Sequence, residues 1–322
     1  CHIIKDSIPI FPQFCTDQNF FSTIRFILEF ILNNCSPTDF WEDFWSLWSL
    51  LLNLYADGAQ LKTSAVYLML EPMLLTILEW LFQYLPTSIS QSRLISFQPI
   101  SCIVAFTMID ENMLLTFLSE KELSPSLLIS LGIIYFLNDN ELFDSMLSNI
   151  MPILLSGKYM DDINCSLFVI SRNTNFLSQH LDIFAEVILM FTSLLVSEDY
   201  SIVQSTLLAL NHIASKIPEL LVRQSPDFLM FCLENLLDPT KFQHDDFLRI
   251  CRILSKLVAS VEGIDDQRNL SEILTNPIAQ MLTCDDNQMV LFGCEAANSL
   301  ASISQFGVAI TMEYLWEPLS IT

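Results

Sequence analysis

Glycine is scarce in this chain, with 6 in 322 residues. A turn-rich all-β fold needs glycine for tight turns, and a phosphate-cradling loop needs it for close backbone approach, so both are disfavoured. Basic residues are scarce too. There are 14 Lys and Arg against 37 Asp and Glu, for a formal net charge of −23. Neutralising nucleic-acid phosphates or an anionic membrane surface requires clustered cations, and along the sequence these are scattered. Direct nucleic-acid binding is therefore not expected. Charge of either sign is thin, at 16% of residues against about 25% in an average soluble domain. Hydrophobic residues make up 52%, so much of the chain is expected to be buried.

Long hydrophobic runs are also missing. A membrane-spanning helix takes about 18–20 consecutive apolar residues. The longest charge-free runs cover 94–109, 123–138 and 296–312, and each is too short or too rich in Ser, Asn, Gln or Pro. No membrane insertion is expected. The opening "CHIIKDSIPIF" is interrupted by Lys5 and Asp6 and does not read as a signal peptide. Its first residue is Cys1, which reads as a segment of a longer protein.

The nine cysteines contain no C-x-x-C, and most fall within apolar helical patterns. That predicts reduced, buried thiols in a cytosolic or nuclear protein. The triplets at Asn34, Asn164 and Asn269 match a glycosylation acceptor, but a pattern so short arises by chance. His2, His180, His212 and His244 stand far apart, with no zinc-ligand spacing among them. G-x-S-x-G, P-loop and G-x-G-x-x-G patterns are absent. Adjacent acids on a helix diverge by about 100° and do not face one site. Neither catalysis nor a metal or cofactor is expected.

What is present is helical periodicity. In "DFWEDFWSLWSLLLNLY", Trp41, Trp45, Trp48 and Leu52 fall on one helical line. Phe40, Phe44, Leu47, Leu51 and Leu54 lie beside them, and Glu42, Ser46, Ser49 and Asn53 leave a thin polar stripe. This predicts a helix over 39–55 covered on two sides, its tryptophans in the core and not in a ligand box. Further helices are predicted over 17–34 and 65–84, with weaker phasing over 85–122.

From residue 124 the helices come in pairs. The spacing predicts 124–136 with 141–155, 161–176 with 182–196, and 199–217 with 227–237. Two more pairs follow, 245–261 with 270–282 and 286–305 with 312–320. The steps between first members are about 37 to 46 residues, the period of HEAT and armadillo repeats. One helix pair cannot bury both of its faces, so pairs stack. The expected fold is all-α, an α-solenoid of HEAT-like antiparallel helix pairs wound into a right-handed superhelix. One array is expected over 1–322, less regular over 1–123, with about five pairs over 124–322. Pro72, Pro152, Pro277 and Pro318 fit kinks or first turns of second-of-pair helices.

Acid pairs recur with the same period: Asp161 and Asp162, Glu198 and Asp199, Asp245 and Asp246, Asp285 and Asp286. At the start of a helix they cap free N–H groups and complement its positive end. Stacked repeats would align them into an acidic ridge suited to a basic partner. Arg249, Arg252 and Lys256 share one helical face. They serve as ion-pair partners for acids of an adjacent repeat, as a solvated face, or as a patch for an acidic partner.

The phrase "SIVQSTLLALNHIASKIPELLVRQSPDFLMFCLENLLDP" resembles the HEAT repeats of karyopherin-β nuclear transport receptors. In these a first helix ends in "I-x-x-x-P-E-L/F-L" and a leucine-rich second helix follows. "DFWEDFWSLW", "DDFLRICRILSKLVASV", "NLSEILTNPIAQML" and "EYLWEPLS" are similar to helices of the transportin-SR and importin-thirteen branch. The resemblance implies a superhelical receptor that binds protein cargo, including cargo with basic segments, the small GTPase Ran in its GTP form, and Phe-Gly nucleoporins. A middle segment of such a receptor is expected, with Ran contacted by repeats outside it. The arginine-rich helix of that branch has no counterpart here. The alternative is a HEAT scaffold of another kind, of phosphatase-scaffold or vesicle-coat type, without Ran binding.

Overall fold

The structure is a computed structural model that describes residues 26, 41–58, 70–90, 97–137, 139–156, 163–238, 241–303, 307–316 and 318. The described residues are helical apart from turns, with no strand among them. The chain divides into two compact units, Cys1–Met146 and Leu147–Thr322. The helix predicted over 17–34 and the first residues of that over 65–84 lie outside the described residues, Phe26 excepted.

In the first unit, α1 (Trp41–Gly58) packs against α3 (Phe97–Ser119), and α2 (Leu74–Ser90) packs against α4 (Pro125–Ile133). A 3₁₀ turn with Pro72, Glu71–Met73, leads into α2. Part of the tryptophan segment can be compared with its pattern; Phe40 and the side chains of Trp41, Glu42, Phe44 and Leu54 lie outside the described residues. Trp45, Leu47, Trp48, Leu51 and Leu52 are buried, while Asn53 is exposed and donates from Nδ2 to the Ser49 carbonyl. The Trp45 carbonyl accepts the Cys102 thiol of α3 at 3.7 Å.

Helix α3 explains the weak phasing over 85–122. Asp110 has an extended backbone (φ −159°, ψ 97°), and its Oδ1 accepts the Met113 N–H, so it caps a second helical segment. Two segments with separate apolar faces blur a single period. By length and composition alone Ile100–Ser119 suffices to cross a membrane, with a mean hydropathy of 1.5. It breaks at Asp110, however, and Cys102, Ile103, Phe106, Leu114, Leu115 and Leu118 are buried in the first unit. Helix α4 starts on Ser124, whose Oγ accepts the Leu127 N–H, with Pro125 at its first position. Helix α5 (Glu141–Leu155) spans the point where the two units divide.

The second unit holds α6 (Ile163–Arg172), α7 (Thr174–Gln179), α8 (Leu181–Leu195), α9 (Tyr200–Lys216), α10 (Pro218–Gln224), α11 (Pro226–Leu236), α12 (His244–Ala259), α13 (Ile264–Leu282), α14 (Asn287–Ile303) and α15 (Gly307–Ile310). The first members of the predicted pairs pack in succession: α6 on α9, α9 on α12, α12 on α14. The second members α8, α11 and α13 pack on α9, α12 and α14. Buried Leu, Ile, Val and Phe fill the space between them, including Phe184, Phe191, Leu207, Leu210, Phe247, Leu254 and Ile278.

Four details differ from the sequence pattern. The helix expected over 161–176 ends at Arg172 and resumes as α7. Buried Asn173 donates its Nδ2 to the Val169 carbonyl at 2.8 Å, so side chain competes with backbone there. Helix α10 was not signalled, being short and opened by Pro218. Helix α13 begins at Ile264 and not at residue 270, because its first turns are polar, with Asp265, Asp266, Arg268 and Asn269 exposed, and carry no apolar period. The last helix begins at Gly307 and continues as a π turn, Thr311–Leu315. Pro152 and Pro277 lie inside α5 and α13.

Candidate functional site

The stack α6–α9–α12–α14 presents two edges, one at the helix starts and one at the ends. The acid pairs fall at the starts. Asp199 is exposed and caps α9, its Oδ1 accepting the Ser201 N–H at 2.9 Å. Asp286 plays the same part for α14 by accepting the Gln288 N–H at 2.8 Å. Glu198, Asp245 and Asp285 are exposed. Asp161 and Asp162 lie outside the described residues.

Asp246 departs from the ridge. It is 1% exposed and faces into the stack. Its Oδ2 accepts the Tyr200 hydroxyl at 2.8 Å and Gln204 Nε2 at 3.0 Å, both from α9, and its Oδ1 pairs with Arg249. The Tyr200 hydroxyl in turn accepts the Gln243 N–H at 3.0 Å. Burial is the main cause raising the Tyr200 pKa; the Asp246 carboxylate adds to it, while the Gln243 hydrogen bond opposes it. A buried carboxylate is tolerable only with its oxygens satisfied, and here three side chains do so. This network joins α9 to α12. Sequence gave no sign of it, because Tyr200 and Gln204 become partners of Asp246 only when the two helices stack.

The basic triplet is divided as well. Arg249 is committed to Asp246. Arg252 reaches α14 and pairs with Glu295 at 2.5 Å. Lys256 reaches the other way and donates to the Ser215 hydroxyl of α9 at 2.5 Å. Arg252 thus pairs with an acid of the next first-of-pair helix, while the partner of Arg249 lies three residues away on its own helix.

The helix ends carry a set of groups that the sequence reading did not assemble. Arg172 sits in the last turn of α6, Lys216 in the last turn of α9 and Lys256 in the last turn of α12. His212 lies between them on α9, half-buried. Burial pushes its pKa below the ordinary 6.5, and the neighbouring charges of Arg172 and Lys216 push it the same way. Lys256 is lowered by burial and by Arg252. The Arg172 guanidinium lies over the Phe168 ring, 5.5 Å from its centroid.

A groove of about 540 Å³ lies between α10 and the end of α12, lined by Glu219, Val222, Arg223, Ala259, Ser260 and Glu262. Arg223 and Glu262 pair across it at 3.1 Å with both side chains largely exposed, so it is a wet surface cleft. Among the described residues, no three His, Cys, Asp or Glu side chains gather as a metal site. Cys102, Cys165, Cys232 and Cys251 are buried. Burial raises the Cys232 and Cys251 thiols to about 12 and Cys102 further still, which makes all three poor nucleophiles.

No protein-family model matches the chain, and no curated protein matches it.

Proposed function

We propose that the chain is a helical-repeat binding scaffold and, within that class, a nucleocytoplasmic transport receptor. In this reading the second unit is a HEAT-like solenoid whose exposed edges take protein partners. One observation carries it: contacts between successive first-of-pair helices recur at nearly constant chain separation. Tyr200 meets Asp246, Ser215 meets Lys256 and Arg252 meets Glu295, at separations of 46, 41 and 43 residues. Such a register is what stacked repeats produce. Catalytic groups gathered in an enclosed pocket would favour an enzyme; what stands at the surface instead is an extended edge of exposed acids.

The transport assignment rests on the phrasing of 201–239 and its neighbours. It brings protein cargo, the GTP form of Ran and Phe-Gly nucleoporins as partners, in the cytoplasm and nucleus. Capture of the full-length protein on immobilised Ran, loaded with GTP or with GDP, tests it. Binding selective for the GTP form is the expected result. Equal or absent binding removes the transport reading and leaves a repeat scaffold of another kind.

A further inference from the structure

Helix α8 carries an exposed apolar line. Leu181, Ala185, Leu189 and Val196 fall at i, i+4, i+8 and i+15, within one narrow arc. All four are exposed, Leu189 by 71% and Val196 by 60%. Single exposed apolar side chains are ordinary on a protein surface, whereas a line of them along a whole helix marks an interaction face. Helix α11 touches α8 and repeats its pattern at 41 residues, the separation that also joins Ser215 to Lys256. Buried Val187, Ile188 and Phe191 match buried Phe228, Leu229 and Cys232, and exposed Leu189 matches exposed Met230. Two adjacent helices thus show apolar side chains on matching turns.

Acids border this line. Asp182 and Glu186 on α8 and Asp227 and Glu234 on α11 are exposed, and neither helix contains Lys or Arg. None of the four forms an ion pair among the described residues. Asp182 and Asp227 stand in first turns, where an acid complements the helix dipole. That reason does not cover Glu186, which lies beyond the first turn, or Glu234, which lies in the last turn of α11, where the dipole opposes it.

We propose that the exposed face of α8 and α11 docks an amphipathic helix of a partner protein, apolar on one side and flanked by Lys and Arg. The apolar line selects a helix. Leu181 to Val196 spans about 22 Å, which a partner helix of about 15 residues laid along α8 would cover. The unpaired acids select its charge. A second copy of this chain would bring the same acids against themselves, and nucleic acid or an anionic lipid surface would be repelled as well. The proposal names a partner for the scaffold reading above and rests on it. It does not rest on the Ran reading, and its binding is measured without Ran, so GTP-selective Ran capture with no peptide binding would remove this face alone.

The test is fluorescence anisotropy of the full chain with a labelled amphipathic peptide of leucine and lysine, about 18 residues long so that it forms a helix. Its leucines repeat at i, i+4, i+7 and i+11, and a peptide of the same composition in scrambled order lacks the apolar face. The amphipathic peptide should bind about tenfold more tightly than the scrambled one. Leu189→Ser with Met230→Ser should weaken its binding about tenfold through two lost apolar contacts. Leu208→Ser with Leu291→Ser, at exposed positions of α9 and α14, should change it less than about twofold. Glu186→Gln with Glu234→Gln should weaken binding about fivefold at low salt and less at physiological salt. All six positions are exposed, so the variants keep the fold. Three results overturn the proposal: no peptide binding at low salt, the scrambled peptide binding as tightly, or equal losses in the face and control variants.

Discussion

Asp245 and Asp246 are neighbours in sequence with opposite fates. Asp245 is exposed, while Asp246 is buried and holds Tyr200, Gln204 and Arg249. Asp246→Ala should cost about 2–3 kcal/mol in urea unfolding, below the full loss for a buried pair because Arg249 can reach water. Asp245→Asn should stay within about 0.5 kcal/mol. The sequence showed both as acids at a helix start. It did not show which one faces inward, because that depends on the rotation of α12 against α9. His212 supplies a pH test. Its folded pKa lies below 6.5, so the unfolded chain takes up the proton first as pH falls. Stability from this group is present above pH 6.5 and is lost as pH drops below it. The difference in stability between wild type and His212→Gln should therefore shift against wild type between about pH 7 and 5.5, where few carboxylates titrate. A difference independent of pH would contradict the assignment.

At the scale of elements, periodicity was legible wherever one helix presents one apolar face to its neighbours. Helices α5, α8, α9, α11, α12 and α14 fall close to their expected spans for that reason. The departures are local. Asn173 ends α6 by bonding to its own helix, and Asp110 restarts a helix inside α3. Both are side-chain effects too short for a periodic signal. Close packing of α13 on α14 depends on Gly293. A β-carbon there would lie 3.0 Å from Met281 Cβ and 3.1 Å from Leu282 Cδ2. Gly293→Val should destabilise by about 1–3 kcal/mol, the usual cost of overpacking, seen as a lower thermal midpoint. No change would mean that the two helices sit further apart. Gly263 has another role: its φ of 107° turns the chain into α13, a conformation that disfavours other residues.

At the scale of the molecule, the order in which the helices of the second unit pack was readable from the sequence, and the partners of its charged residues were for the most part not. Arg249, Arg252 and Lys256 share a helical face, yet they turn to Asp246, Glu295 and Ser215 on different elements. The last two choices follow from neighbouring helices that lie about 40 residues away in the chain. The receptor reading and the acidic edge both depend on consecutive first helices lying side by side. The most direct measurement is a spin-label distance between Ser215→Cys on α9 and Ser299→Cys on α14, with Cys1, Cys15, Cys35, Cys284 and Cys294 replaced by serine. Helix α12 separates the two sites, so a stack predicts about 20 Å, two interhelical spacings, broadened by the label arms. A distribution centred beyond about 35 Å would place α9 and α14 too far apart for one intervening helix and would contradict the stack.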